Sequence, residues 1–171
     1  MMKNNIVLIG MSGCGKTTIG KILAHQLGFD FYDMDDHIVC ISAMTVTELF
    51  EKSEETFRDW ESKICNQLSE KKRAIISTGG GVIKRSENIK KLKKQGMIIF
   101  IDRPIDDIAK DVDISSRPLL KQNPSNLYSL YQERYPIYEK SADIKVLNDG
   151  DLEVVINRII DGIKVNSEEN C

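Results

Sequence analysis

The sequence predicts an α/β domain in which a parallel β-sheet lies between layers of helices, on three observations. Five short apolar runs recur along the chain, the stretches between them carry helical periodicity or charged helical faces, and the first run passes into a glycine loop that opens onto a helix. Alternation of this kind favours parallel pairing, because a crossover helix carries the chain back to the same edge of the sheet.

The first run, IVLI at 6–9, is rich in β-branched residues and stops at Gly10, so it reads as a buried strand. Ile19, Ile22, Leu23 and Leu27 then follow helical spacing, and Gly28 is placed to end that helix. Further strands are expected at 31–32, 74–76, 97–101 and 144–147. Lys84, Arg85, Lys90, Lys91, Lys93 and Lys94 lack interleaved aromatics and read as a solvated helix ending near Gly96. The segment 111–125 is polar and carries Pro118 and Pro124, the mark of a long mobile loop beside a site. Tyr128, Tyr131, Tyr135 and Tyr138 approximate helical spacing and suggest core packing, with Pro136 expected to interrupt their helix. The last residues, VNSEENC, lack periodicity and are expected to fray.

Length and composition fit one domain spanning 1–171: 171 residues, 41% hydrophobic, supply a single core. Lys and Arg number 24 against 26 Asp and Glu, and a net charge of −2 gives no general attraction to nucleic acid or an anionic membrane. No apolar stretch suggests a signal peptide or a membrane span, so a cytoplasmic protein, and a monomer, is expected. The four cysteines show neither CxxC pairing nor regular spacing to His25 and His37, which suits a reducing compartment without structural zinc. Neither histidine sits in a pattern that supplies a general base.

Residues 10–17, GMSGCGKT, satisfy G-x-x-x-x-G-K-[ST] between a predicted strand and a predicted helix. Glycines there let backbone N–H groups converge on phosphate oxygens, and the helix N-terminus adds a favourable dipole. Gly13, Cys14, Gly15, Lys16, Thr17 and Thr18 are therefore the expected contacts to ATP. Lys16 brings its charge to the β- and γ-phosphates, and Thr17 offers a hydroxyl to Mg²⁺. A glycine turn without ligand would need neither residue.

Three further clusters bear on what receives the phosphoryl group. Asp33 and Asp35 follow the second strand, where carboxyl ends of parallel strands open onto the ligand crevice; one can support the metal, the other the attacking hydroxyl. Arg58 and Glu61 are three apart on a helix, so the acid can hold a guanidinium suited to a carboxylate. Taken alone, that pair is more often an ordinary helix salt bridge. Gly79, Gly80 and Gly81 follow a central strand and allow close backbone approach to a ligand, although a flexible turn would also use them.

With these motifs the chain resembles the shikimate kinases over almost its whole length. The matching residues are GMSGCGKT, Asp33 and Asp35, Phe57, Arg58 and Glu61, the three glycines, RPLL at 117–120, Arg134, Tyr135 and Tyr138, and Ala142 with Asp143. The resemblance implies a three-layer P-loop fold with a five-stranded parallel sheet in order 2-3-1-4-5, an acceptor-binding region at about 33–61 and a mobile lid at about 111–125. It implies that Asp35, Arg58, Gly80 and Arg134 bind shikimate, the two arginines on its carboxylate and Asp35 on its hydroxyls, with Asp33 in the Mg²⁺ shell. It places Arg117 on the lid, meeting the transferring phosphoryl group, so that Lys16, Asp35 and Arg117 carry the chemistry. The chain departs from the family pattern at Ala43, where glycine is usual, and at Ser53 and Glu54, where a Gly-Glu pair is common. Lys110 stands where an adenine-stacking Arg is often found, and is the corresponding nucleotide contact here. The implied reaction is ATP-dependent phosphorylation of the 3-hydroxyl of shikimate, in chorismate and aromatic amino-acid biosynthesis. Two rivals remain: a gluconate-type or nucleotide kinase, and a non-catalytic ATP-binding regulatory module.

Overall fold

A computed structural model describes residues 4–111 and 126–169. Its five strands are β1 (Asn5–Ile9), β2 (Asp30–Asp33), β3 (Ala74–Ser77), β4 (Gly96–Asp102) and β5 (Ile144–Leu147). They form one sheet in the order β2-β3-β1-β4-β5, every pair parallel. Central strands β1, β3 and β4 are buried along their whole length, as an apolar run covered on both faces requires. Edge strands β2 and β5 keep partly exposed positions.

The described helices are α1 (Lys16–Leu27), α2 (Met34–Ser42), α3 (Val46–Lys52), α4 (Glu54–Ser69), α5 (Ser86–Gln95), α6 (Ile105–Asp111), α7 (Asn126–Ser141) and α8 (Leu152–Glu169). A 3₁₀ turn (Val82–Lys84) precedes α5. One helical group joins α1 to α8, and another gathers α4, α5 and α7 around the 3₁₀ turn and β4. Helix ends follow local chemistry. Gly28 ends α1 in the left-handed conformation, Thr45 and Glu48 form a capping box on α3, and the Ser53 hydroxyl accepts from the Thr56 N–H at the start of α4. Ser53 thus starts a helix where a glycine would bring no cap.

Three expectations are corrected. Helix α7 runs through Pro136 without ending. A proline inside a helix costs about 3 kcal/mol through the lost hydrogen bond and the ring's clash with the preceding turn, yet the flanking Tyr135 and Tyr138 rings pack on Phe100, at 5.4 and 5.2 Å between centroids, and hold both halves against the sheet. Tyr128 is the exception to core packing, being exposed. Helix α8 extends to Glu169 through residues expected to fray, since its buried Val155, Ile156 and Ile159 anchor it upstream. From residue 112 on, the expected lid, with Arg117, lies outside the described residues. Among the described residues no helix is long and apolar enough to cross a membrane.

Candidate active site

Parallel strands deliver their carboxyl ends to one rim of the sheet, and there the loops enclose a cleft of about 540 Å³. Its walls carry the phosphate loop after β1, Asp33, Asp35 and Asp36 after β2, Ser77 through Gly80 after β3, and Arg103 after β4. The loop keeps its shape because Gly10 and Gly15 adopt φ of 143° and 101°. A Cβ on Gly10 would stand 2.6 Å from the Ile101 carbonyl oxygen, so no side chain fits.

Lys16 is 7% exposed, and its ammonium donates to the carbonyl oxygens of Gly10 and Met11 at 2.8 and 2.9 Å. The charge is therefore fixed over the loop rather than swinging on its stem. Thr17 Oγ1 donates to Asp33 Oδ2 at 2.7 Å and lies 3.4 Å from Ser77 Oγ. Asp33 Oδ1 also accepts from the Asp35 N–H at 3.1 Å, capping α2 and pinning the carboxylate beside Thr17. With its proton given to Asp33, the Thr17 oxygen keeps lone pairs for a cation. This oxygen-only wall suits the hard ion Mg²⁺. Thr18 lines the same wall, whereas the Cys14 side chain is wholly buried behind it.

Behind the glycine turn that lines this cleft lies a buried cluster of charged side chains. Arg58 is 5% exposed, Glu61 0% and Arg134 4%. Arg58 Nη1 donates to Glu61 Oε2 at 2.8 Å, and its Nε and Nη2 reach Glu54 Oε1 at 3.3 and 3.1 Å. Lys84 grips the same Glu54 oxygen at 2.8 Å. Gly79, Gly80 and Gly81 bring their backbone against these groups. A Cβ on Gly79 would meet Asp35 Oδ1 and Glu61 Oε1 at 3.1 Å, and one on Gly81 would meet both Arg58 terminal nitrogens at 2.3 Å. Tyr138 donates its hydroxyl to the Gly80 carbonyl, tying α7 to the glycine turn.

Burial pushes the Glu61 carboxyl up to about 7 against the pull of Arg58, with Asp35 pushing further and Arg134 pulling down. Arg134 Nε and Nη2 are inaccessible to solvent and have no hydrogen-bond partner among the described residues. Two buried guanidinium donors without an acceptor match the fork of a carboxylate.

The structure thus gathers the residues of the phosphate loop, Asp33, Asp35, Arg58, the three glycines and Arg134. It does not bring Lys110 into the cleft: its ammonium pairs with Asp107 at 2.9 Å, and its side chain is 72% exposed. Sequence reasoning missed Arg103, whose Nη1 donates to the Gly13 carbonyl at 3.0 Å, and Asn148, whose Nδ2 donates to the Cys14 carbonyl at 2.8 Å. Each follows the carboxyl end of a strand, and that position was the available signal.

A phosphate loop with a fixed lysine, an acidic oxygen wall and a pair of buried arginines behind the glycine turn define a P-loop kinase of small molecules. The family model described as Shikimate kinase matches residues 12–164, and the shikimate kinase of Clostridium beijerinckii is 48% identical over 169 residues, covering 99% of this chain and 100% of that one. The chain belongs to the shikimate kinase family. Among solved structures, a shikimate kinase from Acinetobacter baumannii in complex with shikimate superposes with a TM-score of 0.90 at 33% identity, covering 95% of this chain and 94% of that one. A gluconokinase from Sinorhizobium meliloti has a TM-score of 0.60 at 15% identity over 99% and 97% of the two chains, a likeness of fold alone.

Proposed function

We propose that this enzyme transfers the γ-phosphoryl group of ATP to the 3-hydroxyl of shikimate, giving shikimate 3-phosphate and ADP, the step that serves chorismate and aromatic amino-acid biosynthesis. The carrying observation is the pair of partnerless donors on buried Arg134 beside the buried Arg58. A shikimate carboxylate would accept from both in the charge-assisted, bidentate geometry that a neutral hydroxyl does not offer.

In this reading the backbone N–H groups of residues 13–18 cradle the phosphates, with Lys16 neutralising the β- and γ-oxygens. Thr17 and Asp33 would hold Mg²⁺, which would offset the charge that develops on the phosphates. Arg58 and Arg134 orient the acceptor by its carboxylate, and Gly79 to Gly81 let the ring approach the backbone. Asp35 accepts the hydrogen bond of the attacking hydroxyl and aims its oxygen at phosphorus. Arg117, carried by the lid at 111–125, stabilises the transferring group. We read the chain as a single domain acting as a cytoplasmic monomer without nucleic-acid or membrane partners; its net charge of −2 gives no general attraction to nucleic acid or an anionic membrane.

A coupled ADP-release assay with shikimate, gluconate, AMP and CMP tests the acceptor. Turnover with shikimate alone is expected; turnover with another acceptor and none with shikimate would overturn the assignment while leaving the kinase class.

A further inference from the structure

We propose that Arg103 is a nucleotide-contacting residue, a second cation beside Lys16 that holds the polyphosphate of ATP against the phosphate loop. The proposal rests on the reading of the cleft as an ATP site.

Arg103 directly follows β4, the strand that pairs with β1 from Asn5 to Ile9, so it emerges beside the loop that leaves β1. Its side chain lines the cleft together with Gly13, Gly15 and Lys16. The guanidinium spans two elements: Nη1 donates to the Gly13 carbonyl, and Nη2 pairs with Asp111 at the end of α6. A guanidinium carries five N–H donors, and these contacts engage two of them. The side chain keeps 24% of its surface exposed, which leaves the planar group open on the cleft side. A fork anchored at one corner to the loop carbonyl presents its other donors to an anion seated in the loop, with little rotamer freedom left to lose.

Lys110 offers no such contact geometry. Its ammonium is engaged by Asp107 on the exposed side of α6. Among the described residues, the guanidinium lining the phosphate-loop side of this cleft is that of Arg103.

A brace that merely shapes the loop would use the same Gly13 contact, so the test separates contact from scaffold. Arg103→Gln and Arg103→Lys are compared with the unmodified enzyme by KM for ATP, KM for shikimate, thermal midpoint, and calorimetric affinity for Mg-ADP. Contact predicts that R103Q weakens Mg-ADP binding and raises KM for ATP by about tenfold, with KM for shikimate changed by less than about twofold. R103K, which retains the charge, recovers most of the Mg-ADP affinity. Asp111→Asn, which releases the guanidinium from its carboxylate, leaves Mg-ADP affinity equal or tighter. Unchanged Mg-ADP affinity in R103Q overturns the proposal, as does equal loss for both substrates with a lowered thermal midpoint. A D111N enzyme that loses nucleotide affinity like R103Q also overturns it, because only a brace needs that ion pair. Should shikimate prove not to be the acceptor, Mg-ADP calorimetry still reads Arg103, so the two failures are distinct.

Discussion

Glu61 shows how one residue can be costly alone and useful in company. Its carboxyl titrates near 7 in the fold against 4.5 for an unhindered glutamate, chiefly because it is buried. Below about 4.5 both folded and unfolded chains hold the proton; between there and about 7 only the folded chain does. The stability this group contributes is therefore full below 4.5 and is lost as pH rises through about 7. Glu61→Gln, which cannot titrate, should flatten the pH dependence of the urea midpoint across that window; a slope equal to that of the unmodified chain would assign the effect elsewhere. Ala43 carries a smaller cost. It ends α2 at φ 56°, where a Cβ crowds the following carbonyl. Ala43→Gly should stabilise the chain by about 0.5–1 kcal/mol in chemical denaturation, strain relief outweighing glycine's added unfolded-state entropy.

At the scale of elements, the proposed acceptor site is built on a contact between α4 and the turn after β3. Arg85 fastens them: Nη1 donates to the Arg58 carbonyl at 3.0 Å and to Ser62 Oγ at 3.1 Å, while Nη2 pairs with Asp59 at 2.8 Å. Together with Lys84 on Glu54, two members of the basic stretch are thus ion-paired to the acceptor helix rather than free on a solvated face. Gly81 makes the fit possible, and its φ of −99° would tolerate alanine, so only the Arg58 contact forbids a side chain. Gly81→Ala should displace the guanidinium and raise KM for shikimate by about tenfold or more, with KM for ATP within about twofold. Equal effects on both constants would mean that the turn serves the nucleotide too.

For the whole molecule, the parallel sheet is what brings distant segments to one rim. Residues of the phosphate loop, Asp33, Asp35 and residues 77–80 meet there because β1, β2 and β3 end together, and the glycine turn carries the cleft's contact with Arg58 and Glu61 behind it. Two ligands bound at that rim stabilise the folded chain by mass action, about 2.7 kcal/mol for a ligand at a hundred times its Kd. Mg-ADP should therefore raise the thermal midpoint, and EDTA should remove most of that gain together with all turnover. An ADP-induced rise that EDTA leaves intact would refute the role given to Thr17 and Asp33.

The strands were legible from runs of β-branched residues, and the phosphate loop from its spacing, because both are local: a few neighbouring residues set backbone path and hydrogen bonding. All five strands fall where the apolar runs do, and Gly28 ends α1 as read. Arg58 with Glu61 was ambiguous in the sequence, since spacing alone cannot tell a surface ion pair from one sealed under a glycine turn. Burial decided it, and burial is a property of α4 against the turn after β3. Pro136 misled because its rule is a local one, while the packing that overrides it comes from Phe100 on another strand. Lys110 and Arg103 lie seven residues apart on the same stretch, and the direction of α6 alone sends one out to Asp107 and leaves the other on the cleft. The sequence by itself determined the strands, the loop and the chemistry of the donor set. Only the tertiary structure decided which charges are buried and which meet, because desolvation and distance arise when separate elements close on one another.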